Sequence, residues 1–113
     1  MSLVTTHVLD TALGRPAAGV RVVLEAADAN RTSWSPIASA TTDTDGRIAD
    51  LGPGRLAAGV HRLVFDTGSY FADSGLSGFY PEITVVFDIT DGDAHHHVPL
   101  LLSPFGYSTY RGS

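Results

Sequence analysis

Apolar and polar residues alternate with a period of two over several short stretches, the pattern of half-buried β-strands. Val20, Val22 and Leu24 share one side of such a stretch, and Ile83, Val85, Phe87 and Ile89 share one side of another. Near the end of the chain Val98, Leu100 and Leu102 take a core face, which turns His95, His97, Pro99 and Leu101 outward. In the first stretch Val4, Thr6 and Val8 form one face, and Leu3, Thr5, His7 and Leu9 form the other. About eight strands are predicted, over 2–9, 20–26, 35–42, 47–50, 60–67, 82–89, 95–102 and 107–112, enough for an all-β sandwich of two packed sheets. An outward face that includes Leu9 and Leu101 predicts subunit contacts rather than water.

Turn chemistry supports these boundaries. Asp45-Gly46 is a turn signal, Gly52-Pro53-Gly54 cannot continue a strand, and Tyr80-Pro81 is a rigid entry to the strand that follows. Residues 69–75 are predicted to hold the one short helix, with Ser69 as its N-cap. At 113 residues, with no internal repeat or low-complexity linker, the chain is expected to form a single domain over 1–113.

Composition then narrows the function. A net charge of −5, with seven scattered arginines as the basic residues, argues against a nucleic-acid surface. Without cysteine there is no disulfide framework, thiolate metal site or thiol nucleophile. The opening residues lack the features of a secretory signal, and no run approaches the roughly 20 apolar residues that span a bilayer, so a cytoplasmic protein without membrane contact is expected.

Histidines carry the candidate chemistry. His95 and His97 are the only two of the consecutive histidines that one strand can aim at a shared ion, and no third ligand is evident, so no metal site is predicted. His95 and His96 suit a solvated strand start, and His61, beside Arg62, a surface position. His7 lies within a strand, on a face bordered by leucines, and Arg47 directly follows the Asp45-Gly46 turn. Two imidazoles and a guanidinium can together hydrolyse a carbonyl compound: neutral imidazole takes a proton from water, and arginine stabilises the oxyanion that forms. The absence of a Gly-x-Ser-x-Gly elbow and of cysteine favours direct attack by water. The final residue, Ser113, also brings a terminal carboxylate.

Over essentially its whole length the chain resembles the 5-hydroxyisourate hydrolases, the transthyretin-related proteins of purine catabolism. The resemblance rests on Thr6-His7-Val8-Leu9-Asp10, Gly14-Arg15-Pro16-Ala17, Thr44-Asp45-Gly46-Arg47, Phe79-Tyr80-Pro81-Glu82, the run from His97 to Pro104, and Tyr107-Ser-Thr-Tyr-Arg-Gly-Ser113. Asp66-Thr-Gly-Ser-Tyr-Phe71 is also similar to transthyretin, the hormone carrier of the same fold. The carrier lacks the terminal Tyr-Arg-Gly-Ser and does not keep the two histidines and the arginine. His96 departs from the family, which commonly has an aromatic residue there.

The resemblance implies a transthyretin-like sandwich of two four-stranded sheets, assembled as a homotetramer, a dimer of dimers. It implies hydrolysis of 5-hydroxyisourate to 2-oxo-4-hydroxy-4-carboxy-5-ureidoimidazoline in urate degradation, without a cofactor. His7, Arg47, His97 and Ser113 are the expected catalytic residues, and His7, Arg47 and Tyr110 the expected substrate contacts. Arg111 is expected to be a structural charge that holds the terminal segment. The rival reading is a small-molecule carrier that binds without turnover.

Overall fold

The structure, a computed structural model, describes residues 2–113. Strands run in the order β1 (Val4–Asp10), β2 (Arg15–Pro16), β3 (Arg21–Ala27), β4 (Trp34–Thr41), β5 (Arg47–Leu51) and β6 (Gly59–Phe65), followed by helix α1 (Thr67–Asp73), then β7 (Ile83–Ile89), β8 (His96–Ser103) and β9 (Gly106–Thr109). One sheet has four antiparallel strands in the order β4-β3-β6-β7. The other is built around β1, with β8 and then β9 on one side, while β5 and the two-residue β2 pair with its other edge. The expected sandwich is present, with β2 as a fifth strand in that sheet. No helix is long and apolar enough to cross a membrane.

The alternation places the core. Val20, Val22, Leu24, Ile83, Ile89, Val98, Leu100 and Leu102 are buried, as are Val4, Thr6 and Val8, while Val85 and Phe87 pack partly buried against them. Burial of each such aliphatic side chain contributes about 1.5–3 kcal/mol. Leu3 departs from its expected outward place and is buried.

The helix begins before the expected Ser69. Asp66 caps it, its carboxylate accepting from the Ser69 backbone N–H at 3.2 Å and the Ser69 hydroxyl at 2.8 Å. A carboxylate accepts both bonds at once, so Ser69 becomes the capped residue rather than the cap. Phe71 and Thr67 anchor the helix in the core, and the Tyr70 hydroxyl donates to buried Asp10 at 2.7 Å, joining α1 to the end of β1. Burial, followed by that bond, pushes the Tyr70 phenol up to about 12, so it remains a donor throughout the neutral range.

Two histidines expected at the surface are buried. His61 shares the parity of Leu63 and Phe65 on β6, and its Nδ1 donates to the Gly59 carbonyl at 3.0 Å. His96 shares the parity of Val98 on β8, and its Nδ1 donates to the Ala94 carbonyl at 2.6 Å. In both cases a local carbonyl pairs the Nδ1 of the ring, which lets parity override polarity. His95 is exposed, as expected.

The Asp45-Gly46 turn is where the fold constrains the site most tightly. Gly46 has φ 75°, and a Cβ there would lie 2.3 Å from the Val8 carbonyl oxygen. Gly46→Ala therefore meets both a backbone clash and the left-handed conformation, which alone costs about 1–2 kcal/mol. The expected result is a lowered urea midpoint with an unchanged m-value; a midpoint equal to wild type would show that the turn relaxes freely.

Candidate active site

Three strands bring the expected residues onto the outward face of the β1 sheet. His7 on β1 is the antiparallel partner of Arg47 on β5, and Thr5, two residues earlier on the same face, is the parallel partner of His97 on β8. A cleft of about 270 Å³ on this face is lined in part by Thr5, Arg47, His95, His97 and Ser113, while His7, paired with Arg47, is not among its lining residues.

Arg47 is presented by a loop that Asp43 closes. One Asp43 carboxylate oxygen accepts from the backbone N–H groups of Asp45 at 2.9 Å and Arg47 at 3.0 Å, and the Asp43 carbonyl accepts from Gly46 at 2.9 Å. The same loop orients His7, whose Nε2 lies 2.9 Å from the Asp45 carbonyl oxygen. A carbonyl only accepts, so Nε2 carries the His7 ring proton and Nδ1 carries the lone pair. Among the described residues the ion pairs are Arg55 with Asp93 and Arg62 with Glu25, so the Arg47 guanidinium is left to the cleft.

His97 is held from two sides. Its Nδ1 lies 2.8 Å from the Thr5 hydroxyl, and its backbone carbonyl accepts from the Gly112 N–H at 2.9 Å. A Cβ at position 112 would sit 2.4 Å from His97 Cδ2, so the ring packs directly on the Gly112 backbone. Burial holds the His97 imidazole below its usual value, and the neighbouring His95, His7 and Arg47 act in the same direction. At neutral pH this ring is a neutral base.

Not every expected residue enters the cleft. Ser113 does, but Tyr110 lines an adjoining groove of about 310 Å³ with Phe87, Val98 and Arg111. The expected strand over 107–112 is cut short, which explains the separation: β9 runs over Gly106–Thr109, and the chain returns to β8 only at the His97–Gly112 bridge. Continued in register, Tyr110 would face Pro99, which has no N–H for its carbonyl. Arg111 is in neither ion pair among the described residues, and the terminal segment is attached by the Gly112 backbone instead of the expected structural charge.

Thr5, Asp43 and Gly112 are site residues that the sequence reading did not single out. Parity alone places Thr5 beside His7, but its pairing with His97 depends on a register between strands distant in sequence. The turn signal at Asp45-Gly46 pointed to the neighbourhood of Asp43.

The arrangement can be set beside known proteins. A "5-hydroxyisourate hydrolase" of Salmonella dublin is 49% identical over 113 residues, covering 99% of this chain and 82% of that one. The solved Klebsiella pneumoniae 5-hydroxyisourate hydrolase superposes with a TM-score of 0.86 at 38% identity, covering 99% of this chain and 100% of that one. Sea bream transthyretin in complex with thyroxine gives a TM-score of 0.90 at 35% identity, covering 97% of this chain and 94% of that one. The same sandwich thus occurs in a hydrolase and in a protein solved with thyroxine. The profile of the HIUase/Transthyretin family matches residues 4–112, from the start of β1 to the glycine against which His97 packs, and the chain belongs to that family.

Proposed function

We propose that this chain hydrolyses 5-hydroxyisourate to 2-oxo-4-hydroxy-4-carboxy-5-ureidoimidazoline, a cyclic-amide opening in urate degradation. The observation that carries the reading is the convergence of His7, Arg47 and His97 on one face, in a chain 49% identical to a hydrolase of that substrate. His97, with His7 beside it, takes a proton from water, whose oxygen bonds to the amide carbonyl carbon. Arg47 stabilises the oxyanion of the tetrahedral intermediate through its planar fork of donors. The carbon–nitrogen bond then breaks, the departing nitrogen takes the proton back from the imidazole, and the product carries a new carboxyl and a ureido group. Ser113 helps hold water or substrate in the cleft.

Exposed aromatics and open sheet edges support a homotetramer built as a dimer of dimers. Phe79, Phe105, Tyr107 and Tyr110 are exposed, and β7 and β9 each lie at one edge of their sheets, as β4 and β5 do at the other. Tyr110, lying outside the cleft of its own protomer, contacts substrate where assembly brings its ring over a cleft. The setting proposed is the cytoplasm, checked by fractionating cells that express the chain.

The test is to generate the substrate in place from urate with urate oxidase and follow its ultraviolet decay with and without the protein. Accelerated decay supports the hydrolase. Unchanged decay, with saturable binding of an aromatic ligand, would identify a carrier instead.

The pH profile offers an independent check. His97 must be neutral to act, and its environment lowers it from the ordinary value of 6.5, so the acid limb of kcat/KM is expected to have its midpoint below 6.5. A midpoint above that value would remove His97 as the base.

A further inference from the structure

We propose that Thr5 and His95 are positioning residues that hold His97 in the tautomer with its free lone pair on Nε2, an inference that rests on the hydrolase reading. The Thr5 hydroxyl lies between two rings, 2.8 Å from His97 Nδ1 and 2.9 Å from His95 Nε2. A hydroxyl has one proton, so it cannot donate to both, and at least one ring must donate to it. Which ring donates decides which nitrogen of His97 is basic.

The surroundings choose His97 as the donor. To take a proton from water His97 needs a lone pair free of protein partners, and its Nδ1 is occupied by Thr5 Oγ1 at 2.8 Å, so Nδ1 carries the proton and Nε2 the lone pair. His97 Nδ1–H then donates to Thr5 Oγ1, and the Thr5 hydroxyl passes its own proton outward to His95 Nε2. On the far side the ring rests on the Gly112 backbone along the Cδ2 edge. Nε2 is the ring nitrogen left to activate water.

His95 completes the set by fixing the direction of the Thr5 hydroxyl. Its ring stacks on that of His97, with centroids 6.2 Å apart and planes 18° from parallel, so the bonds from Thr5 lead to neighbouring, similarly oriented imidazoles. The first strand's Thr5-Thr6-His7 therefore serves the site at both odd positions, while Thr6 points inward and donates to the Val98 carbonyl at 2.6 Å. When His97 takes a proton from water, its charge is delocalised onto Nδ1–H, and the bond to Thr5 strengthens as the base becomes charged.

Two measurements on the full chain test this. Thr5→Val keeps the shape but removes the hydroxyl, and is expected to lower kcat by roughly 10–100-fold with KM nearly unchanged, the scale of losing a ligand-orienting hydrogen bond. Thr5→Ser restores the hydroxyl and is expected to recover most of that loss. Imidazole nitrogen-15 NMR of the wild type should report His97 protonated at Nδ1, with a shift toward Nε2–H in Thr5→Val and a smaller one in His95→Phe. The NMR readout does not require turnover, so a wild type that fails to accelerate substrate decay overturns the hydrolase reading while the tautomer remains testable. Wild-type kcat in Thr5→Val, or a wild-type His97 resonance already at Nε2–H, overturns the proposed role of Thr5. A folded Thr5→Ser no better than Thr5→Val also overturns it.

Discussion

His97→Ala is expected to lower kcat on freshly generated 5-hydroxyisourate by about 10²–10⁴-fold, the range for loss of a positioned acid or base. The effect is large because several features converge on His97. Its ring is held neutral by burial and by neighbouring positive charge, and is fixed on one edge by Thr5 and on the other by Gly112. The His7 ring donates Nε2–H to the Asp45 carbonyl and offers Nδ1, so it can orient water or share the proton, but from a different direction. Since His97 lies on the outward face, outside the inter-sheet core, the alanine variant should keep a near-wild-type melting transition. Turnover within a few-fold of wild type in a folded His97→Ala protein would transfer the role of base to His7.

Arg47→Ala is expected to lower kcat by about 10²–10³-fold, as for removal of an oxyanion donor. Asp43 and Gly46 hold the backbone at this position whatever side chain follows, so the loss should report the guanidinium rather than the turn. Arg47→Lys should recover only part of the rate, because an ammonium supplies charge without the planar pair of donors. The pH profile supplies a second reading. Arg47 is one of the charges that lower His97, so its removal lets the imidazole rise and should move the acid limb toward higher pH. Stopped-flow decay across pH separates the effects, and an Arg47→Ala enzyme with unaltered kcat would exclude oxyanion stabilisation by this residue.

The sandwich was legible because strand parity is local. Val20, Val22 and Leu24, or Val98, Leu100 and Leu102, declare a buried face from sequence spacing alone, and the structure buries each of them. The same parity placed Thr5 and His7 together on the outward side of β1. It also placed His96 with Val98, although the polarity of that residue suggested solvent. What made His96 a core residue was the carbonyl of Ala94, which satisfies its ring nitrogen and removes much of the cost of burial.

By itself, then, the sequence determined which residues line each face, that a turn precedes Arg47, and which side chains could supply hydrolytic chemistry. Only the tertiary structure decided which of them meet. The parallel register of β1 with β8 sets Thr5 against His97, and the antiparallel register with β5 sets His7 against Arg47. Pro99 interrupts the last ladder, leaving Tyr110 in the adjoining groove while Gly112 and Ser113 return to the cleft. The physical reason is that parity follows from the geometry of one strand, whereas register is set by packing between strands some forty to ninety positions apart in sequence, and a slip of one residue would turn the whole face over.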